Sequence, residues 1–144
     1  QSDKIGARLE AGFDIILSST SRRAKQTTDR INHYLKKPVE THLELKEKNY
    51  GSLVGKTWNE LKKIVSPDVK SKDRNLQYNY KPWGGESVKD VRKRLRAFLA
   101  RLKTRRFKKV LIITHGGIIK LMYNLRKRAS PKKIGNCSVH KFKI

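Results

Sequence analysis

Two apolar runs along the chain pass directly into polar residues and then into segments with helical spacing. The runs are "FDIIL" at 13–17 and "VLII" at 110–113, and "THGGIIKLMYNL" follows the second. Short apolar runs rich in β-branched residues predict buried strands, and a weaker run at 39–43 predicts a third. Strands that alternate with helices predict an α/β fold around a mostly parallel sheet.

Three segments near these strands predict helices. Residues 1–11 have the spacing of the end of a helix, and residues 116 to about 123 predict another. A third helix, from about Ser21 to Leu35, is preceded by N-cap residue types and is expected to bury one face. That face comprises Ala24, Thr27, Ile31 and Leu35.

Two capping-box patterns mark further helix starts. Thr57 with Glu60 begins a helix whose apolar stripe is Trp58, Leu61 and Val65. Ser87 with Asp90 begins the helix with the clearest amphipathic pattern in the chain. Its apolar positions are Val88, Val91, Leu95, Phe98, Leu99 and Leu102, and its other face is crowded with Lys and Arg.

The segments between these elements have no clear period. Residues 44–56 predict an active loop or a long surface connection, and residues 66–85 predict a loop with room for one short helix. At the C-terminus, Phe142 and Ile144 alternate with Lys141 and Lys143, which predicts a final edge strand.

Length and charge add two constraints. With 144 residues the chain is expected to form a single domain, 1–144. Its 36 Lys and Arg against 12 Asp and Glu give a net charge of +24. Such an excess favours an anionic partner, namely nucleic acid, an acidic membrane surface or a strongly anionic substrate. The alternative is a lysine-rich composition that only solvates the surface.

Cysteine content and hydropathy bear on location. Cys137 is the only cysteine, so no internal disulfide can form and a reducing compartment is expected. No apolar stretch is long enough to span a bilayer, and no hydrophobic signal core occurs near the N-terminus, so we expect a soluble, intracellular protein. Because the chain lacks an initiating Met and begins inside a helical pattern, we expect that a segment upstream is missing.

His115 follows the strand at 110–113, where the backbone turns into a helix. Ligands of parallel α/β sheets bind beyond the carboxyl ends of the strands, so this imidazole is placed for chemistry; the alternative is a histidine that caps or packs against the turn. If the strands at 13–17 and 110–113 are parallel neighbours, Ser19 to Arg23 lie on the same edge as His115. Arg22 and Arg23 then favour a phosphate pocket at a helix N-terminus over two solvated cations.

Five short motifs in this order resemble the histidine phosphatase superfamily, also called phosphoglycerate mutase-like. "SSTSRRAKQTT" resembles that family's Ser-x-x-x-Arg-Ala-x-x-Thr segment, and its register selects Arg23 over Arg22. "LKEKNYGSLVGKT" resembles the family's glutamate loop. The others are "GGES" at 84–87, "LIITHGG" at 111–117 and "NCSV" at 136–139.

The resemblance implies a three-layer α/β/α fold and phosphoryl transfer through a phosphohistidine. It assigns Glu47 and His115 to catalysis, with Glu47 as acid and then base. Ser19, Arg23, His115 and Gly116 are assigned to phosphate binding, and neither a cofactor nor a metal is implied. For Glu47, the alternative is an acid that neutralises the surrounding lysines.

Two departures from the family pattern stand out. Val54 replaces a glutamate that often precedes the second glycine of the loop. No Arg-His-Gly tripeptide occurs, and none of His33, His42 and His140 matches the nucleophile's motif. The family's first strand is therefore expected to be absent from this chain, either because the sequence is a fragment or because catalysis has been abandoned.

Two functions from different classes follow. The first is a hydrolase of small phosphorylated molecules, since "NCSV" and the short connection to "GGES" favour the phosphatase branch over the mutases. The second is a catalytically inactive phosphatase-like protein that binds RNA or another polyanion within a larger assembly. A peripheral protein at an acidic membrane is a weaker alternative, because no amphipathic anchor is evident.

Overall fold

The structure, a computed structural model, describes residues 1–9, 12–131 and 133–143. The chain forms two compact units: Gln1–Glu47 with Leu95–Ile144, and Lys48–Arg94. Three strands and six helices occur in the described residues: α1 (Ser2–Gly6), β1 (Ile15–Ser19), α2 (Arg22–Leu35), β2 (Val39–His42), α3 (Trp58–Ile64), α4 (Val69–Arg74), α5 (Val88–Thr104), β3 (Val110–Ile113) and α6 (Gly116–Leu125).

The first unit contains a parallel sheet in the order β2-β1-β3. Leu17 of β1 pairs with Glu40 on one side and with Ile112 on the other. The predicted α/β fold with a mostly parallel sheet is confirmed. Because β1 and β3 are parallel neighbours, their carboxyl ends lie at the same edge of the sheet.

Strand β1 begins and ends two residues later than the apolar run predicts. Ser18 and Ser19 extend the strand although both are polar, and both are fully buried. Thr28 of α2 donates a hydrogen bond to the Ser18 hydroxyl oxygen over 2.8 Å. This bond offsets the cost of burying that hydroxyl, so the strand continues to the edge of the sheet.

Helix α2 packs on this sheet, but the prediction that Thr27 lies on its buried face is wrong. Ala24 and Ile31 join Ile16 and Ile113 in the core, whereas Thr27 is only half-buried and Thr28 takes the inner position. Positions i, i+4 and i+7 share a helix face, and Thr28 can also donate to the Ala24 carbonyl oxygen.

The ends of the chain also differ from the prediction. Helix α1 is shorter than the predicted 1–11 segment, of which residues 10 and 11 lie outside the described residues. Residues 138–143 form no strand, and Ile144 is outside the described residues. Period-two alternation alone is insufficient for a strand, because the backbone also needs a partner with which to pair.

The second unit contains a buried ion pair. Lys48 Nζ lies 3.3 Å from Asp73 Oδ1. The ammonium also lies 5.4 Å from the Tyr50 ring centroid and 5.1 Å from that of Tyr78. The Tyr80 hydroxyl donates to Asp73 over 3.0 Å, and burial, together with the nearby carboxylate, raises the pKa of Tyr80. These contacts lie within and beside residues 66–85, for which the sequence predicts a loop with one short helix. In the structure this segment contains α4 and a 3-10 turn at Lys81–Trp83.

Both predicted capping boxes are confirmed. Thr57 and Glu60 exchange the two hydrogen bonds of the motif. At the start of α5, the Ser87 N–H and hydroxyl donate to Asp90 over 2.9 and 2.6 Å, and the Asp90 N–H donates back to the Ser87 hydroxyl oxygen.

The second capping box should make stability depend on pH in acid. The hydrogen bonds from Ser87, and to a lesser degree Lys81, lower the pKa of Asp90 from 3.8 to about 2. Its contribution is therefore complete above pH 3.8 and is lost as the pH falls through about 2. Asp90→Ala should lower the free energy of unfolding by about 1 kcal/mol at neutral pH. The gap to the wild type, measured by urea unfolding, should narrow between about pH 4 and 2, and a gap that stays constant contradicts the assignment.

Candidate phosphate-binding site

His115 lies at the edge of the sheet where β1 and β3 both end. It is buried and is the N-cap residue of α6. Thr114, just before it, donates to the Leu45 carbonyl oxygen over 2.7 Å, which ties the end of β3 to the 43–45 turn. The polar residues that follow the two strands are thereby brought together, as the parallel arrangement predicts.

Three side chains, from the end of β1, the β1–α2 connection and the first turn of α2, contact the His115 ring. The Arg23 Nε–H donates to Nδ1 over 3.1 Å. The Ser19 and Ser21 hydroxyls lie 2.9 and 3.1 Å from Nε2. Of the predicted phosphate-binding residues, the structure therefore brings Ser19 and Arg23 into direct contact with His115.

These contacts fix the tautomer of His115. A guanidinium N–H can only donate, so Nδ1 must be the unprotonated nitrogen and the ring proton lies on Nε2. The ring is then neutral, with its N–H aimed at the two serine oxygens. An oxyanion that replaces a serine oxygen at Nε2 would accept this hydrogen bond without any change of tautomer.

Further hydrogen-bond donors surround the position that such an oxyanion would occupy beside His115 Nε2. The terminal guanidinium nitrogens of Arg23 have no hydrogen-bond partner within the described part of the chain. Gly116 is the first residue of α6, and the N–H at that position of a helix has no intrahelical acceptor. Both helices α2 and α6 begin here, and the N-terminus of a helix attracts anions. Arg22 is exposed and makes none of the contacts to His115 that Arg23 makes.

Glu47 reaches the same helix N-terminus from the loop after the 43–45 turn. The Gly117 N–H donates to its Oε2 over 3.1 Å. A Cβ added at Gly117 would clash with Oε1 of Glu47. The bare Cα of Gly117 therefore provides the space that the Glu47 carboxylate occupies.

Gly117→Ala should displace the Glu47 carboxylate while the protein stays folded, because the obstructed group is the end of a flexible side chain. Gly116→Ala is the matched control, since a Cβ there meets only Ile134 at 3.7 Å. A crystal structure, or the amide chemical shift of residue 117, should report loss of the hydrogen bond in the first variant alone. An unchanged Glu47 in Gly117→Ala contradicts this account.

Sequence reasoning missed two participants, Ser21 and Gly117. Ser21 precedes the helix at its N-cap position, a position that itself signals a side chain aimed at a helix N-terminus. The double glycine signalled a turn, but only the structure shows that the second glycine accommodates Glu47.

The described residues contain neither a candidate metal site nor a membrane-spanning helix. Across residues 1–9, 12–131 and 133–143, no group of three or more His, Cys, Asp or Glu side chains could hold a metal ion. None of the helices described is both long and apolar enough to cross a membrane.

Comparison with known proteins places the whole chain in one family. The profile of the histidine phosphatase superfamily (branch 1) matches residues 1–144. Phosphoglycerate mutase-like protein 4 of Arabidopsis thaliana is 29% identical over 150 residues, which cover 100% of this chain and 65% of that protein. The uncharacterized phosphatase PhoE of Bacillus subtilis is 34% identical over 108 residues, covering 74% and 50%.

A solved structure agrees with this placement. YhfR of Bacillus stearothermophilus superposes with a TM-score of 0.73 at 28% identity, covering 89% of this chain and 64% of that chain. The chain thus spans half to two thirds of the length of the relatives described here. Its profile match, relatives and fold agree, and the chain belongs to the histidine phosphatase superfamily.

Proposed function

We propose that the protein is a phosphatase that hydrolyses phosphomonoesters of small molecules through a phosphohistidine. The observation that carries this proposal is the convergence of Arg23, Ser19 and the N–H of a neutral His115 at one edge of the sheet. In phosphoryl transfer the charge lies on the non-bridging oxygens, so fixed donors around them lower the barrier.

In the proposed reaction, Arg23 and the Gly116 N–H bind two phosphoryl oxygens, while Ser19 and His115 Nε2 orient a third. A nucleophilic histidine forms a bond to phosphorus as the bond to the ester oxygen breaks, and Glu47 protonates the leaving oxygen. Glu47 then takes a proton from water, whose oxygen attacks phosphorus as the bond between phosphorus and the histidine breaks, which releases phosphate and restores the free histidine. No histidine of the 144 residues matches the nucleophile's motif, so we place this group outside them.

The position of Glu47 supports its role as acid and base. Its carboxylate is held by the Gly117 N–H, and Gly117 is two residues from His115. We therefore expect its effect to depend on the leaving group, which distinguishes proton donation from simple neutralisation of nearby lysines.

Glu47→Gln provides the test, in a form of the protein that includes an Arg-His-Gly strand. Hydrolysis of an alkyl phosphate should fall by about 10²- to 10⁴-fold, because its leaving alkoxide needs a proton. Hydrolysis of p-nitrophenyl phosphate should fall far less, because p-nitrophenolate leaves without protonation. Equal losses for both substrates would exclude Glu47 as the general acid.

A second candidate function is the binding of RNA or another polyanion, and the net charge of +24 favours it. The described acids are largely engaged within the chain, for example Glu86 with Arg94 and Glu40 with Arg105. Much of the positive charge is therefore uncompensated. If this candidate is correct, the affinity for RNA falls steeply with salt, because each neutralised phosphate releases a counterion.

A further inference from the structure

Helix α5 presents a basic face to solvent. The exposed positions along that face are Lys89, Lys93, Arg96, Ala97, Ala100 and Lys103. It therefore carries four cations and no acid. We refer to Lys89, Lys93, Arg96 and Lys103 as the α5 stripe.

The α5 stripe is not neutralised within the described residues. Other cations in and beside this helix are paired: Arg94 lies 2.8 Å from Glu86, Arg101 contacts Glu44, and Lys81 lies 3.1 Å from Asp90. The four stripe cations make no ion pair or hydrogen bond with any described residue. The acids beside α5 thus neutralise cations on either side of this face, and the face itself stays positively charged.

The stripe is straight and regular. Helix α5 is a single unbroken helix, so its residues are placed relative to one another by helix geometry alone. From Lys89 to Lys103 the stripe is about 21 Å long and stays within about 80° of the helix circumference. Ala97 and Ala100 lie between the cations, and their small side chains allow a long anion to approach the helix closely.

The remaining side chains on this face narrow the choice of partner. An aromatic residue would be needed to stack the bases of a single strand, and the stripe has none. A large apolar residue would be needed to insert into a membrane, and the exposed apolar residues of this face are alanines. A row of long, flexible cations with small side chains between them fits the phosphates of a double-stranded backbone.

We propose that the α5 stripe binds the phosphodiester backbone of a nucleic acid duplex. This proposal rests on the second candidate function and assigns it to one surface. Recognition is through phosphates alone, so it is independent of base sequence.

The test uses a stripe variant and a matched control. The stripe variant is Lys89→Gln, Lys93→Gln, Arg96→Gln and Lys103→Gln. The control changes three lysines and one arginine that are also exposed but lie elsewhere: Arg8→Gln, Lys62→Gln, Lys63→Gln and Lys143→Gln. Both variants lower the net charge equally, from +24 to +20. Affinity for a 20-base-pair RNA duplex is measured by fluorescence anisotropy from about 50 to 300 mM salt.

We expect the stripe variant to lose at least about tenfold in affinity at 100 mM salt, and its slope of log K against log salt to become shallower by about 3. The control should stay within about threefold of the wild type. Equal losses in both variants would overturn the surface assignment, as would tighter binding of single-stranded RNA or of phosphatidylserine vesicles through the same residues. A wild-type protein that binds no RNA at any salt concentration would reject the second candidate function itself.

Discussion

Arg23→Ala is expected to weaken the binding of phosphate or vanadate by about 10- to 100-fold, because it removes a charge-assisted donor from the anion position. The same change removes the hydrogen bond that Arg23 donates to Nδ1 of His115 over 3.1 Å, so the imidazole also loses the contact that fixes its tautomer. Isothermal titration calorimetry with vanadate measures the affinity directly.

Arg22→Ala is the matched control for this prediction. The two arginines are neighbours in the first turn of α2 and both are exposed, so their long-range electrostatic effects on an anion are similar. Arg22 makes none of the His115 contacts, and its loss should change affinity by no more than about two- to threefold. Equal effects from the two substitutions would contradict the assignment of Arg23.

The 144 residues by themselves are expected to hydrolyse phosphomonoesters at background rates and to form no phosphohistidine. His115 lies beside the proposed phosphoryl position as a hydrogen-bond donor, with its Nδ1 occupied by Arg23. It therefore cannot readily serve as the in-line nucleophile as well. Incubation with p-nitrophenyl phosphate, and with a labelled phosphomonoester followed by detection of acid-labile phosphate, measures both quantities.

A form of the protein with an Arg-His-Gly strand should be active, and His115→Ala should then reduce kcat by about 10²- to 10³-fold, the usual cost of losing one donor to the transition state. Robust turnover by the 144 residues alone, dependent on His115, would mean that the roles of the histidines are assigned wrongly.

The sequence predicts the three strands of the sheet, but it also predicts a C-terminal edge strand that residues 138–143 do not form, and it does not predict the details of the site. Apolar runs set the strands, and the parallel order of β1 and β3 placed Ser19, Arg23 and His115 at one edge. The sequence does not show that Thr28, and not Thr27, is the buried threonine of α2. The two residues are adjacent and of the same type, and only the structure shows which of them faces the buried Ser18 hydroxyl. The sequence also does not predict the contact between Ser21 and His115. A serine at this position is expected as an N-cap residue in any case, so its hydrogen bond to the imidazole is visible only in the structure.

The bare Cα of Gly117 has a consequence for mutational tolerance. Every other amino acid adds a Cβ, so every substitution at 117 places an atom where Glu47 now lies, whatever the chemistry of the new side chain. At position 116 an added Cβ makes only an ordinary contact with Ile134, so this position should accept small residues. In a scan of all substitutions selected for activity, two adjacent glycines should therefore give opposite profiles. Compensating changes for position 117 should arise in the loop that carries Glu47, where they can move its carboxylate away from the new Cβ.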